Sequence, residues 1–488
     1  MVLRSVAVIG GGLAGVECAL ALAFAGVDVT LFEMRPSVAT PVHVGGNLAE
    51  LVCSNSFRSN AVDSAVGRLK TEMRLLGSVV MATADAMRVP AGKALAVDRE
   101  LFSAAITRQV EEHPRIRLVR REVLSLAEPE LAGFDAVVVA AGPLASDALA
   151  ASLAAVTGTE YLYFYDAIAP VVDGASVNMD VAFWGARYQP EDTDYLNCPM
   201  NKEEYEAFYN ALLTGERFAS RDFEKETHFE GCMPIEALAE RGFKTLVFGS
   251  LKPVGFTDPR SGTRPFALLQ LRAENANKTM FNLVGCQTKL TYPEQKRIFR
   301  MVPGLENAEF VRLGSMHRNT FVNAPKVLAD DCSLLGFAPN ASPNASPDAS
   351  PDAASDIQPD SAQTSPHGTR RIYLAGQIAG VEGYVESAAM GLWIGRYLAA
   401  KAQGKTLLPP PRESALGALL GHLRTPVKRF QPSNVQFGLM PELGVRAGKA
   451  NRKALYVSRA QSAFAAWAKE QGITQAELAV EQPGADYL

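Results

Sequence analysis

The sequence predicts an α/β protein in which a Rossmann-like nucleotide-binding domain is interrupted by an inserted α+β domain. Three observations carry this prediction. A G-x-G-x-x-G run, Gly10, Gly12 and Gly15, lies between a short apolar strand pattern and a helix pattern. A second strand, glycine-rich turn and helix follow near the other end of the chain, over residues 371–400. The stretch between the two changes to mixed short strands and helices, for example "TLVFGSLKPVGF" and "NKEEYEAFYNALL".

In chain order, "SVAVI" (Ser5 to Ile9) reads as a buried strand. "VECALALAFAG" is apolar almost all round, so it reads as a buried helix that Gly26 ends. "VDVTLFE" follows at once as a second strand, which gives the βαβ opening of a parallel sheet covered on both faces. "FDAVVVAAGP" (Phe134 to Pro143) is a further buried strand closed by Gly142 and Pro143. These elements place the first part of the nucleotide domain at residues 1–145, an inserted substrate domain at 146–308 and the second part at 309–488. Within the last part, residues 339–368 repeat Asn/Asp-Ala-Ser-Pro tetrads with few apolar side chains to bury, and read as a disordered surface loop.

Composition narrows the function. The 488 residues are 48% hydrophobic and 20% charged, an ordinary soluble balance, and no signal-peptide pattern or membrane-length apolar run is present, so a cytoplasmic protein is expected. A formal charge of −4 argues against a globally basic nucleic-acid binder. One local basic stripe does exist: from Arg424 to Arg459 there are eight Lys or Arg and one acid, Glu442. Six cysteines, at 18, 53, 198, 232, 286 and 332, form no CxxC pair and no ligand spacing with the six histidines. Neither a disulfide framework nor a metal site is expected.

The first glycine of the fingerprint allows the turn, the second lets a pyrophosphate approach the backbone, and the third lets helix and strand pack closely. Gly10, Gly11, Gly12, Leu13, Ala14 and Gly15 thus form the candidate phosphate turn, whose helix N-terminus supplies donors and a positive dipole end. Glu33 closes the second strand where an acid hydrogen-bonds a ribose hydroxyl. The second glycine-rich unit, with Gly376, Gln377, Gly383 and Tyr384 in "LAGQIAGVEGY", favours FAD over NAD, because it can bring donors to the far end of a longer dinucleotide.

A reactive cysteine needs a helix N-terminus or a cation that favours its thiolate. Cys18, Cys198, Cys286 and Cys332 read as small core hydrophobes. Cys232, in "FEGCMPIEALAERG", precedes a proline that suits the first turn of a helix. Cys53, in "LAELVCSNSFRSN", lies in a polar, turn-like run with Ser54, Asn55 and Ser56 as donors and Arg58 as a cation. Residue chemistry alone leaves open whether Cys53 reacts or only packs.

The segments "VIGGGLAGVECALALA", "LFEMRP", "ELVCSNSFRSN", "RVPAGKALAVDRE", "DYLNCPM", "KPVGFTDPR", "QLRAENA", "MHRNT", "NAPKVL" and "LAGQIAGVEGYVESAAMG" closely resemble the folate- and FAD-dependent tRNA (uracil-5-)-methyltransferases of the TrmFO type. The resemblance runs from the N-terminus through "FQPSNVQFG" at Phe430 to Gly438. It implies formation of 5-methyluridine at position 54 of the tRNA T loop. The carbon would come from 5,10-methylenetetrahydrofolate and the electrons from reduced FAD, recharged by NADH or NADPH. It assigns Cys232 as the nucleophile at uracil C6 and Cys53 as the partner in deprotonation, with exchange of the two roles left open. It also places His317 on the pterin and Tyr384 beside the flavin or the target base. Lys289, Arg297 and the stripe from Arg424 to Arg459 are candidates for RNA phosphates, where contacts position without specifying sequence.

Two departures stand out: the tetrad loop, and "AVDSAVGRLK", where Asp63, Ser64 and Arg68 replace the residues more usual in the family. The latter, beside Cys53, would mark a changed substrate if it reaches the site. The competing readings are the same chemistry on ribosomal RNA, a flavin oxidase or demethylating enzyme without an RNA substrate, and a non-catalytic flavin protein.

Overall fold

The protein is described here by a computed structural model covering residues 3–40, 42–158, 162–218, 233–335, 371–428, 430–445 and 448–473. The tetrad loop lies outside these residues. Among them no helix is long and apolar enough to cross a membrane.

Strand β1 (Ser5–Ile9) is the middle of a five-stranded parallel sheet. Its neighbours are β2 (Asp28–Phe32) on one side and Ala136–Val139 on the other; Ile116–Val119 and Arg371–Leu374 form the edges. One sheet is therefore built from both ends of the chain. Val6, Ala7, Val8 and Val137 to Val139 are fully buried, the continuous apolar run expected of parallel strands covered on both faces. Helix α1 (Leu13–Phe24) packs against the long helix Tyr384–Ala402 through small residues. A Cβ on Gly391 would lie 2.0 Å from the Ala14 carbonyl oxygen, and one on Gly395 would lie 2.9 Å from that of Cys18. Gly26, at φ +86°, reverses the chain after α1.

The second body is a six-stranded antiparallel sheet in the order Phe183–Trp184, Tyr195–Met200, Ala267–Ala273, Met280–Leu283, Val171–Asp173, Phe310–Arg312. Its core, from Val172 to Ala308, is separate from that of the parallel sheet. Helix Lys202–Thr214 begins at a capping box in which the Asn201 side chain accepts from the Glu204 N–H and Glu204 accepts from the Asn201 N–H. It buries Tyr205, Phe208 and Leu212 on the sheet. "TLVF" forms a helical turn, Thr245–Phe248. Helix Asp147–Thr157, which the sequence reading puts at the start of the insertion, packs into the first core through Leu149 and Leu153.

Two chain passages join the bodies. Leu162–Ala167 leaves the first and Met316–Phe321 returns to it, and the two pair antiparallel from Ala167 opposite Met316 to Leu162 opposite Phe321. A small sheet of Arg88–Val89, Ala94–Val97 and Ser56–Ser59 stands beside this junction and carries the Cys53 loop.

Candidate active site

The two glycine-rich units meet in one cleft that is open to solvent. Gly10, Gly12, Leu13, Ala14 and Glu33 line it from the first unit, Gly142 from the strand between, and Gly376, Gln377 and Tyr384 from the second. Of the residues expected there, Gly11, Gly15 and Gly383 do not line it, because each is used to set the backbone.

Gly10 takes φ +106°, and a Cβ on it would lie 2.5 Å from the Ala140 carbonyl oxygen. A Cβ on Gly15 would lie 1.8 Å from the Gly10 carbonyl oxygen, so helix and turn touch where only hydrogen fits. The Gly11 N–H donates to Glu33 at 2.8 Å. Gly12 differs: a Cβ there would meet no protein atom within 4 Å, so nothing in the protein requires a glycine. Gly12 caps α1 with no side-chain hydrogen bond, which leaves the first-turn N–H groups for a ligand. An open cradle with free donors fits the pyrophosphate of a dinucleotide.

Glu33 accepts from the Arg35 N–H at 3.0 Å and Nε at 2.9 Å through its other oxygen. Burial works to raise this carboxyl, but Arg35 and the backbone donors outweigh it and hold the group below its ordinary value. An ionised, acceptor-only Glu33 keeps lone pairs for ribose hydroxyls. Arg35 also reaches Glu50 at 2.9 Å, and Glu50 accepts from the Val44 and Gly45 N–H groups, which fastens the loop bearing His43. Burial and Arg35 push the His43 imidazole down to about 4, so His43 faces the cleft uncharged. Residue reading missed Arg35, His43, Glu50 and Arg121 in this wall; only Arg35, inside "LFEMRP", carried a signal.

Tyr384 links the cleft to Cys53. Its hydroxyl accepts from the Cys53 N–H at 2.7 Å and the Ser54 N–H at 3.3 Å. Burial and the neighbouring thiol push this hydroxyl well above its ordinary value, so it is neutral at working pH. Cys53 itself is half-buried, with Sγ 3.9 Å from the Ala167 carbonyl oxygen at the mouth of the two connecting strands. Cys18, Cys198, Cys286 and Cys332 are buried, and burial raises each thiol, to about 12 for Cys198 and Cys332.

The cations at the Cys53 loop come from distant segments. Arg99 donates to the Leu51 carbonyl and pairs with Glu274 at 2.7 Å. Arg272 donates to Asn55 at 2.9 Å and Ser54 at 3.2 Å, and Arg312 to the Val52 carbonyl at 3.2 Å. Arg58, the cation expected from sequence, instead adopts φ +63° and pairs with the fully buried Glu386. Lys70 fixes that conformation by donating to the Arg58 and Ser59 carbonyls at 3.0 and 2.7 Å, and burial with Arg58 nearby pushes it down to about 7. Glu382 accepts from Gln377 at 2.6 Å; burial and Asp166 push it well above the carboxylate range.

Cys232 and the His317 side chain lie outside the described residues. The His317 backbone pairs with Asp166 in the connecting strands. Lys289 presents its carbonyl to the Phe218 N–H in the second body, and Arg297 pairs with Glu294 at 2.5 Å on an exposed helix face. The basic stripe is partly internal: Lys453 reaches Asp63 at 2.7 Å, and Arg459 donates to the Pro441 and Glu442 carbonyls. Of the unusual residues near Cys53, Asp63 therefore faces Lys453 of the C-terminal helix Lys449–Glu470 in an exposed pair. Ser64 caps helix Ala65–Leu75 by accepting from the Gly67 N–H.

The sequence model of the family described as "Glucose inhibited division protein A" matches residues 5–334 and 359–406. A protein of Oleidesulfovibrio alaskensis named methylenetetrahydrofolate–tRNA-(uracil-5-)-methyltransferase TrmFO is 61% identical, covering 95% of this chain and 97% of its own. Proteins of the same name from Nitratidesulfovibrio vulgaris strain DP4 and Lawsonia intracellularis are 60% and 53% identical, over 97% and 96% of this chain and 92% and 98% of theirs. Among solved structures, Aquifex aeolicus GidA in its form II crystal superposes with a TM-score of 0.63 at 16% identity, over 98% of this chain and 75% of its own, a likeness of fold.

Proposed function

We infer the reaction from kinship: this chain belongs to the glucose inhibited division protein A family and, within it, to the methylenetetrahydrofolate–tRNA-(uracil-5-)-methyltransferases of the TrmFO type. It methylates C5 of a uracil in tRNA with methylenetetrahydrofolate as the one-carbon source. We place the target at uridine 54 of the T loop, with FAD as the bound reductant and NADH or NADPH as its source of electrons.

The observation that carries this reading is the Tyr384 bridge, which ties Cys53 to the wall of a cleft fitted for a dinucleotide. Gly10, Gly12, Leu13 and Ala14 would hold the FAD pyrophosphate, Glu33 a ribose, and Gly376, Gln377 and Tyr384 the flavin end. FAD, when reduced, supplies the hydride that completes the methyl group. C5 of uracil becomes nucleophilic only after a thiolate adds at C6 and leaves an enolate. We assign that addition to Cys232 and assistance in removing the C5 proton to Cys53, beside the two connecting strands. The second body, from Val171 to Arg312, would then serve as the substrate domain, with His317 on the pterin and Lys289 and Arg297 toward RNA phosphates. The target base has to be turned out of its loop, at about a few kcal/mol.

The test is incubation of the holoenzyme with labelled methylenetetrahydrofolate, NADH or NADPH, and unmodified tRNA or ribosomal RNA, followed by digestion. Labelled 5-methyluridine in tRNA, lost in Cys232→Ala, is expected. Label in ribosomal RNA alone would move the substrate, and flavin turnover without RNA labelling would overturn the reading.

A further inference from the structure

Between the paired strands Phe183–Trp184 and Tyr195–Met200 of the second sheet runs a hairpin loop with a strained tip. Ala186 and Gln189 exchange both backbone hydrogen bonds at 2.9 Å, which makes Arg187 and Tyr188 the central residues of a tight turn. Tyr188 takes φ +62° there, where glycine or asparagine is expected. Burial does not offset the strain, because Tyr188 remains 70% exposed. The conformation is held by a neighbouring loop: the Tyr188 N–H donates to the Gly255 carbonyl at 3.0 Å and Arg187 to the Lys252 carbonyl at 3.4 Å. Gly255 takes φ +87°, and a Cβ on it would lie 2.6 Å from Arg187 Cγ and 3.0 Å from Tyr188 Cδ1. Both side chains thus rest on bare backbone.

The other end of the hairpin is fastened to the module that carries the Cys53 loop. Asp194 accepts from the Gly92 N–H, and the Tyr195 hydroxyl donates to the Ala91 carbonyl at 2.9 Å, in the turn between two strands of the small sheet. Tyr195 also stands opposite Arg272, which donates to Ser54 and Asn55. Asp192 accepts from the Asp194 N–H at 2.7 Å. Of the hairpin's acids this leaves Glu191 in solvent, against Arg187 and Lys252 at the tip.

We propose that Tyr188 is a stacking platform for an unpaired nucleobase of the RNA substrate, with Arg187 and Lys252 toward the adjoining phosphates. An exposed ring beside cations holds an unstacked base without reading its sequence. A ligand of folate size takes a concave site, and neither the hairpin nor the Lys252–Gly255 loop lines the cleft.

The inference rests on RNA methylation as the function, and its test reads binding rather than turnover. The holoenzyme is titrated with end-labelled unmodified tRNA at several salt concentrations, and flavin content reports whether each variant folds. Tyr188→Gly relieves the turn, so its melting temperature should stay or rise while tRNA binds roughly five- to a hundredfold more weakly. A ring that only supported the fold would give the opposite pair of results. Tyr188→Phe should bind as wild type does, and Arg187→Gln should reduce the slope of log affinity against log salt by about one. Equal tRNA affinity in wild type and Tyr188→Gly would overturn the platform alone. Weaker methylenetetrahydrofolate binding at unchanged tRNA affinity would overturn it in favour of a folate contact. Wild-type holoenzyme that binds no tRNA would overturn the proposed function and the platform together.

Discussion

The two glycine-rich turns look alike in sequence and are built by different physics. At the first, Gly10 and Gly15 are demanded by backbone pressed against backbone, and one carboxylate, Glu33, is kept ionised by Arg35 and the Gly11 N–H. At the second, Gly376 and Gly383 take φ +80° and +103°, and the turn rests on one ion pair and two hydrogen-bonded contacts: Glu386 with Arg58, Gln377 donating to Glu382, and the Cys53 N–H donating to Tyr384. Steric closure suits a fixed mould for phosphate. Polar contacts across distant segments couple the turn to the loop where the chemistry is assigned.

The most severe break of this contrast is Gly15→Val. With the Gly10 oxygen 1.8 Å from the added carbon, the turn cannot form, and no flavin should copurify. Flavin absorbance equal to wild type would refute steric closure.

Next in size is an effect of pH shared by both ends. Glu17 on α1 accepts from the Val79 and Val80 N–H groups, and Glu72 accepts from those of Ala415 and Leu416. Burial raises both carboxyls from 4.5 to about 7. The folded state thus holds these protons more tightly than the unfolded chain. Their stabilisation is full below pH 4.5 and is lost as pH rises to about 7, by at most about 3 kcal/mol each. Glu17→Gln and Glu72→Gln should each flatten the thermal midpoint against pH; an unchanged slope in either variant assigns the effect elsewhere.

Tyr384→Phe separates the two turns directly. It strands the Cys53 and Ser54 N–H groups, at about 1–3 kcal/mol, while leaving the phosphate turn intact. Methylation should fall roughly ten- to a hundredfold at unchanged flavin content. A parallel loss of flavin would mean that the bridge serves cofactor binding alone. The smallest expected effect is that of Lys453→Ala: its partner Asp63 is fully exposed, so the melting temperature should stay within error, and a clear drop would make the C-terminal helix a support of the Cys53 loop.

What sequence made legible follows the same division. The phosphate turn could be read because local rules force it: a glycine where a Cβ collides, an acid at the end of the next strand. The bridge from Tyr384 to Cys53 spans 331 positions, and no periodicity reports such a contact. Arg99 and Arg272 sat in recognisable segments, "AVDRE" and "QLRAENA", yet their direction toward Cys53 depends on how the second body docks. Arg58 was the natural cation to choose by proximity, and its left-handed backbone turns it to Glu386 instead. Arg312 gave no local sign.

The paired strands Leu162–Ala167 and Met316–Phe321 have an evolutionary consequence. Because the outgoing and returning chains pair side by side, the chain enters and leaves the second body through one narrow seam, its ends a single interstrand spacing apart. A module entered through such a seam can be enlarged or retuned for another RNA while the parent sheet keeps its register, provided that Arg272, Glu274 and Arg312 still reach the Cys53 loop and Arg99. Diversification of targets in such a lineage would be a matter of grafting rather than of rebuilding.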